Sequence, residues 1–383
     1  MVAVVTSLVE RSAELKRELL EFSRQPRFDR DRREVLRNHF SGRYVGDESE
    51  LITALDYFLL QHELRSGKTV VERFAASRPD LPEDERELLL GWRNVVEGIF
   101  EVKSLDGDTL VTENLIDELT YRVRSNMGPS VFRPLEAGGF IVGRFVPVGH
   151  EWLISGNFVG YPKRDRTSIL RVACEFTMRH PERAFRNRDK LIRAQQLLNA
   201  EHDRFIRFFR ADFVVIPGSR LTERMGSFYA FCRDQAMAEI AGSGRQPKDQ
   251  PFHGPDYPGA LVASDAVAVI HDEVEGLGLY AEFGPIEQAF ADPSLLQHPD
   301  YRRRLRDYLD DASISPVLFE RMAARAPEQT NQVFRKLLGR KHFDWKADGE
   351  KIMRRRKPHY FDQPRWPRIV PLSDKLAPYV ARA

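Results

Sequence analysis

The chain has 383 residues, of which 42% are hydrophobic and 30% charged, and this composition excludes an intrinsically disordered protein. Lys and Arg total 59 against 57 for Asp and Glu, so the net charge of +2 favours no class of partner by itself. The two cysteines, Cys174 and Cys232, are too few for a disulfide framework or a cysteine-based zinc site.

The N-terminal segment and the hydropathy of the chain predict the compartment. The apolar start is too short for the core of a secretory signal, because Glu10 and Arg11 follow it closely. No stretch approaches the run of about 18 apolar residues that a membrane span needs. The sequence therefore predicts a cytoplasmic protein with no membrane partner.

Residues 1–97 have the apolar periodicity of helices. Leucines and phenylalanines share one stripe across residues 50–63, and residues 69–76 form a short helical pattern. Pro82 is followed by a run of acids, as is typical of a first helical turn. This region is predicted to be a helical domain.

The period changes to that of strands over residues 98–161. Five short strands in about 60 residues cannot form an open sheet with covered edges, so a small antiparallel barrel-like module is predicted. Val142, Phe145 and Trp152 are candidates for its packing. The predicted strands cover residues 100–103, 109–112, 120–124, 139–148 and 151–159.

Helical periodicity returns after residue 161. Residues 162–383 are predicted to form a mostly helical C-terminal domain, in which the Gly- and Pro-rich residues 242–258 form a loop. The apolar residues 261–270 fit either a helix or a strand. The predicted fold class is thus α+β and mostly helical, with an N-terminal helical region, a central small β module and a C-terminal helical domain.

Charge is distributed unevenly along the chain. Residues 163–210 hold thirteen bases and six acids, and residues 335–368 hold twelve bases and four acids. Residues 249–301 hold ten acids and neither Lys nor Arg. Either these blocks pair with each other in the fold, or the basic blocks bind phosphates and the acidic block binds a metal or a cationic ligand.

One histidine and three acids follow the apolar run in the acidic block. If that run is a strand, its end places them at a sheet rim, where metal and catalytic groups often lie. The spacing matches no strong metal signature such as His-Glu-x-x-His, and the alternative is a turn or a helix start. The predicted ligands of a divalent ion are His271, Asp272 and Glu275, with His253 as a distant fourth ligand and Glu273 in the same cluster.

An acid-x-Lys pair lies on the first predicted strand. Glu101 and Lys103 resemble half of a metal-dependent nuclease site, which also needs a second carboxylate on a neighbouring strand. Residues 109–112 carry no such acid. The default interpretation is an ion pair on the solvent face of the module.

The C-terminal basic block alternates bases with aromatic residues. This pattern suits RNA, because guanidinium groups and rings stack on splayed bases while the charge meets phosphate. The alternative is that the rings pack on the helical core and the bases are solvated or paired with acids. The predicted nucleic-acid contacts are Arg340, Lys341, Arg354, Arg355, Arg356 and Lys357, and the interleaved rings are Phe343, Trp345, Tyr360, Phe361 and Trp366.

Three segments of the N-terminal half carry a family resemblance. Residues 55–60, 67–74 and 98–102 resemble uncharacterised bacterial proteins related to SEC-C-motif proteins, in which a helical region leads into a small β module. The cysteine-rich SEC-C metal site itself is missing from this chain. The resemblance therefore implies an architecture and transfers no metal site and no catalytic residue.

The sequence favours a non-enzymatic binding protein that contacts RNA, a ribonucleoprotein or another acidic partner through its basic segments. The alternatives are a metal-dependent hydrolase that uses the His271 cluster, and a protein-binding scaffold. No cofactor is predicted, apart from the divalent metal of the hydrolase alternative. We expect alanine at positions 354–357 to weaken RNA binding and to leave thermal stability nearly unchanged, because exposed charges contribute little to folding.

Overall fold

The chain folds into two compact units. Unit 1 comprises Met1–Asn187 and Leu372–Ala383, and unit 2 comprises Arg188–Pro371. Among the described residues, none of the helices has the length and apolar character to span a bilayer. The structure, a computed structural model, describes residues 2–40, 48–242, 254, 256–362 and 364–382.

Helices form the N-terminal part of unit 1, as the periodicity predicts. One of them begins with a capping box, in which the Thr69 hydroxyl accepts a hydrogen bond from the Glu72 N–H and the Glu72 carboxylate accepts one from the Thr69 N–H. A sixth helix follows the strands. The helices of unit 1 are α1 (Val2–Ser23), α2 (Asp29–Phe40), α3 (Glu48–Leu60), α4 (Val70–Ser77), α5 (Glu83–Gly91) and α6 (Arg166–Arg179).

Five strands form the β module between α5 and α6. All five lie where the alternating pattern places them, and the predicted α+β, mostly helical fold is confirmed. The strands are β1 (Val96–Asp106), β2 (Thr109–Asn114), β3 (Thr120–Arg124), β4 (Phe140–Val148) and β5 (Glu151–Tyr161).

The strand order of the module is β1-β2-β3-β5-β4, and β4 pairs back with β1. Four of these pairings are antiparallel, but β3 and β5 run parallel, so the prediction of a wholly antiparallel module is wrong at this seam. The β4–β5 hairpin returns β5 in the same direction as β3. Only two residue pairs join these strands, Val123 with Trp152 and Arg124 with Leu153, which makes the seam the weakest line of the barrel-like sheet.

The described apolar residues of the module divide among three hydrophobic cores. Phe100 and Phe145 pack inside it with ring centroids 4.1 Å apart, and Trp152 packs against the same core, as predicted. Val146 and Val148 instead join the core of the N-terminal helices. Because this core is shared, the predicted boundary between residues 97 and 98 separates segments that belong to one unit. Val142, the third packing candidate, is 36% exposed on the outer face.

A buried charge network crosses unit 1. The Asp56 carboxylate of α3 is 3% exposed, and it accepts hydrogen bonds from Lys16 Nζ of α1 at 2.6 Å and Arg144 Nε of β4 at 2.9 Å. The Ser155 hydroxyl of β5 donates to the same carboxylate at 2.7 Å. Asp56 therefore connects two helices to both strands of the β4–β5 hairpin. Burial raises the pKa of Asp56, but the two cations outweigh this effect and hold the pKa below its usual value.

The end of the chain returns to unit 1. Leu376 is fully buried with Ile99 of β1 and Leu170 of α6. Residues 162–187 and 372–383 thus belong to unit 1, and this division differs from the predicted C-terminal domain of residues 162–383. Both segments belong to unit 1 for the same reason. Their apolar side chains cover the outer face of the β module.

Unit 2 contains a small antiparallel sheet with the order β6-β7-β8. The residues that fit either a helix or a strand divide between a short helix, Gly259–Val262, and the central strand, in which every residue is buried. Most of the predicted loop at 242–258 lies outside the described residues. The strands are β6 (Phe213–Ile216), β7 (Val267–Asp272) and β8 (Gly276–Tyr280).

Helices cover the rest of unit 2. Four of them begin at a proline, which suits the first helical position because the missing N–H would have no partner there. The helices are α7 (Arg188–Phe209), α8 (Leu221–Gly242), α9 (Gly259–Val262), α10 (Gly284–Ala291), α11 (Pro299–Asp310), α12 (Pro316–Arg325), α13 (Pro327–Leu338), α14 (Trp345–Arg356) and α15 (Pro358–Phe361).

Candidate functional site

The helix α14 carries most of the predicted nucleic-acid contacts. Asp344 caps its N-terminus by accepting a hydrogen bond from the Ala347 N–H. Ile352 and Met353 are buried in the core of unit 2, so the opposite face of the helix projects its bases into solvent. The last turn holds three consecutive arginines, where the helix dipole favours cations.

Two of these arginines are paired within unit 2. Arg354 donates to Glu350 at 2.8 Å, and its guanidinium lies 4.7 Å from the ring centroid of Phe361. Arg356 donates to Asp310 of α11, also at 2.8 Å. Neither guanidinium is therefore fully available to an external anion.

Lys357 does not belong to the exposed basic surface, and its prediction as a nucleic-acid contact is wrong. The residue is 4% exposed, and its ammonium donates to the backbone carbonyls of Tyr308 and Asp311 at the C-terminal end of α11. Burial lowers the pKa of Lys357 to about 8. In the sequence it appears as the fourth base of a run, but α14 ends at Arg356, and the chain turns inward after it.

Five exposed cations along α14 and the loop before it have no ion-pair partner among the described residues of unit 2. We refer to them as the free basic set. Lys351 and Arg355 lie one helical turn apart on the same face. Lys346 and Lys351 were missed by sequence reasoning, although the four-residue spacing of Lys351 and Arg355 already indicated a shared face. The members of the free basic set are Arg340, Lys341, Lys346, Lys351 and Arg355.

The interleaved aromatic residues divide between core and surface. Phe343 is 1% exposed and stacks on Phe334. Trp345 packs against the same Phe334 ring, with the two ring centroids 4.9 Å apart. Tyr360 and Phe361 pack partly against this core. Trp366 is 38% exposed, so it is the member of the predicted group that presents the most surface to a ligand.

The structure does not bring the predicted metal ligands together. His271 and Asp272 are neighbours in β7, so their side chains point to opposite faces of the sheet. The His271 ring is fully buried against Phe205 of α7, with Nε2 3.7 Å from the Glu201 carboxylate. Asp272 lies on the other face, 3.7 Å from the Arg321 guanidinium.

The remaining predicted ligands are also engaged elsewhere. Glu275 accepts hydrogen bonds from Ser315, Tyr360 and Arg368, and the Glu273 carboxylate lies 3.5 Å from His202 Nε2. His253 lies outside the described residues. Over the described ranges, no group of three or more His, Cys, Asp or Glu side chains is placed to hold a metal ion. The described acids of this cluster are thus paired with other side chains of the protein, as the alternative of charge blocks that pair within the fold predicts.

We expect His271→Leu to leave the free energy of unfolding unchanged or to raise it by about 1–3 kcal/mol, because both ring nitrogens are buried and have no hydrogen-bond partner among the described residues. Urea denaturation measures the change. A metal site would be shown by a different measurement. Elemental analysis would find stoichiometric metal in protein never exposed to chelator, and both His271→Ala and Asp272→Ala would remove the metal.

The acid-x-Lys pair is more enclosed than predicted. Glu101 is 6% exposed, and its carboxylate accepts hydrogen bonds from Lys103, Arg166 and Lys375. Burial raises the pKa of Glu101, but these three bonds outweigh it and lower the pKa to about 2. Strand β2 extends beyond the predicted residue 112, so Glu113 lies directly opposite Glu101 and shares Lys103 and Lys375 with it. The cations neutralise both acids, as in a structural cluster.

Comparison with protein families gives a match over the N-terminal part of the chain. A family model described as "Family of unknown function (DUF7986)" matches residues 10–212, which is more than half of the chain. No curated protein and no solved structure matches. The resemblance to relatives of SEC-C-motif proteins stays a prediction.

Proposed function

The chain belongs to the family of unknown function DUF7986, and from the chemistry of its surface we propose that it is a non-enzymatic protein that binds single-stranded RNA through unit 2. The contact surface is the free basic set, and the exposed ring of Trp366 provides a stacking surface on the same unit. The predicted hydrolase is not proposed, because its acids are engaged with Arg321, Arg368 and other groups of the protein.

The observation that carries the proposal is that some cations of the basic block are paired within unit 2 and others are not. Arg354, Arg356 and Lys357 already have partners within unit 2. Five further cations lie exposed along a helix of 12 residues and its preceding loop, and they have no such partners in the part of unit 2 that the structure describes. Lys351 and Arg355 share one face of α14 and lie about 6 Å apart along its axis, so together they can contact neighbouring phosphates of an extended strand.

Salt dependence of RNA binding tests the proposal. Binding of a fluorescent single-stranded RNA should weaken linearly in a log–log plot against salt concentration, because bound cations release counterions from the phosphates. The double variant Lys351→Ala, Arg355→Ala should bind more weakly at low salt. Its slope should be shallower by about 0.7 for each lost phosphate contact.

The double variant Arg220→Ala, Arg233→Ala is the matched control. It removes the same charge from unit 2, but both arginines are exposed and paired with Glu223 and Asp234. It should keep the wild-type slope. The proposal fails if the wild type does not bind RNA at low salt, or if both double variants change the slope equally. Lys357 is left intact, because its burial would confound binding with folding.

A further inference from the structure

Unit 2 contains an aromatic cavity that the RNA surface does not use. It has a volume of about 390 Å³ and lies between β6, α10 and the α12–α13 corner. Its floor is built from the rings of Phe213, Phe283 and Phe290, which are 0–6% exposed. The Phe213 and Phe283 rings meet edge to face, with centroids 5.8 Å apart. A planar apolar group fits such a floor, because its edges and faces find complementary partners there.

Two opposite charges line the same cavity. Glu287 of α10 and Arg325 of α12 are both exposed, and neither has an ion-pair partner among the described residues. The Arg325 guanidinium lies over the Phe213 ring, 5.6 Å from its centroid, so it is held at the edge of the aromatic floor. A carboxylate and a guanidinium that share one cavity without pairing leave both charges available to a ligand.

We propose that this cavity binds a free α-amino acid with an aromatic side chain. The ligand ring packs on the phenylalanine floor, its carboxylate accepts hydrogen bonds from Arg325, and its ammonium donates to Glu287. Guanidinium and carboxylate groups pair in a planar, two-bond geometry, which fixes the orientation of the ligand. A purely apolar ligand leaves both charges unused, and a simple acid or amine uses only one of them. The inference is independent of RNA binding.

The volume and the lining support a small molecule. Small-molecule sites are concave and mostly apolar, with a few charged groups that fix orientation, and their volumes start at about 300 Å³. The apolar floor provides the area for the ring, while the two exposed charges stay at the rim. Two opposite charges at one rim favour a zwitterion, because only a ligand with both charges pairs with both residues.

Isothermal titration of the full chain with L-phenylalanine tests the proposal. Three matched probes each lack one group: 3-phenylpropionate lacks the ammonium, 2-phenylethylamine lacks the carboxylate, and L-alanine lacks the ring. We expect L-phenylalanine to bind and L-alanine, which buries no ring, to bind at least about tenfold more weakly. The other two probes should each bind up to about fivefold more weakly, because each loses one ion pair at an exposed rim.

Variants cross with the probes to locate each contact. Arg325→Gln should weaken L-phenylalanine and 3-phenylpropionate by similar factors and leave 2-phenylethylamine unaffected. Glu287→Gln should weaken the binding of L-phenylalanine and 2-phenylethylamine by similar factors and leave that of 3-phenylpropionate unaffected. Arg306→Gln is the matched control, because it removes an exposed charge from α11 away from the cavity lining. The proposal is overturned if L-phenylalanine does not bind, if L-alanine binds as tightly as L-phenylalanine, or if neither variant changes the affinity for L-phenylalanine.

Discussion

Replacing Asp56 by alanine is expected to lower the free energy of unfolding of unit 1 by about 3–5 kcal/mol, because it leaves the buried Arg144 guanidinium without its main counter-charge. Urea denaturation followed by tryptophan fluorescence measures the loss. In a background with phenylalanine at positions 345 and 366, Trp92 and Trp152 report on unit 1 alone.

Glu97→Gln is the control for this experiment. Glu97 also pairs with Arg144, at 3.1 Å, but its side chain is 40% exposed, so the loss should not exceed about 1 kcal/mol. Equal effects of the two substitutions would contradict a central role for Asp56. The pKa of Asp56 is lowered in the folded state, so its contribution is present above its unfolded pKa of about 4 and is lost as the pH falls through the folded value.

Replacing Lys357 by alanine is expected to destabilise unit 2 by about 1–3 kcal/mol, because two backbone carbonyls at the end of α11 lose their buried donor. Hydrogen exchange should rise in residues 299–311 and 345–357, where the contact lies. Arg355→Ala should change stability by less than about 0.5 kcal/mol, because Arg355 is exposed. Similar losses in both variants would contradict the buried placement of Lys357.

The pH dependence gives a second readout for Lys357. Burial lowers the pKa of Lys357 to about 8 from the unfolded value of 10.5, so the unfolded state binds more protons between these pH values. The stability contributed by this residue therefore rises as the pH increases from 8 to 10.5. Lys357→Met should remove this rise, which is measured as the difference between the unfolding free energies of wild type and variant across that range.

The sequence predicted secondary structure better than it predicted the surroundings of individual side chains. The alternating pattern located all five strands of the β module, because alternation follows from the two faces of a strand. It could not predict that β3 and β5 pair in parallel, since pairing depends on the path of the chain between strands. The pattern also could not predict that Val142 is partly exposed, because either face of a barrel-like sheet can be covered by other elements, and alternation does not show which one is.

The candidate sites illustrate the same limit. Positions 354–357 appear equivalent in the sequence, yet the four bases face a carboxylate, solvent, another carboxylate and two carbonyls in turn. His271 and Asp272 are adjacent in the sequence, but the period of the strand separates them onto opposite faces. A nuclease site at Glu101 needs a second carboxylate on the neighbouring strand. Glu113 lies in that position, one residue beyond the predicted end of β2.

The return of residues 372–382 to unit 1 sets an order for folding during synthesis. Leu376 and Lys375 complete a core and a charge cluster whose other members are translated before the whole of unit 2. At bacterial or eukaryotic translation speeds, synthesis of Arg188–Pro371 takes roughly 10–40 s. Unit 2 is continuous and can fold in one piece as it emerges from the ribosome. In unit 1, α6 can cover part of the outer face of the β module at once, but the part that residues 372–382 cover stays exposed to chaperones during that interval.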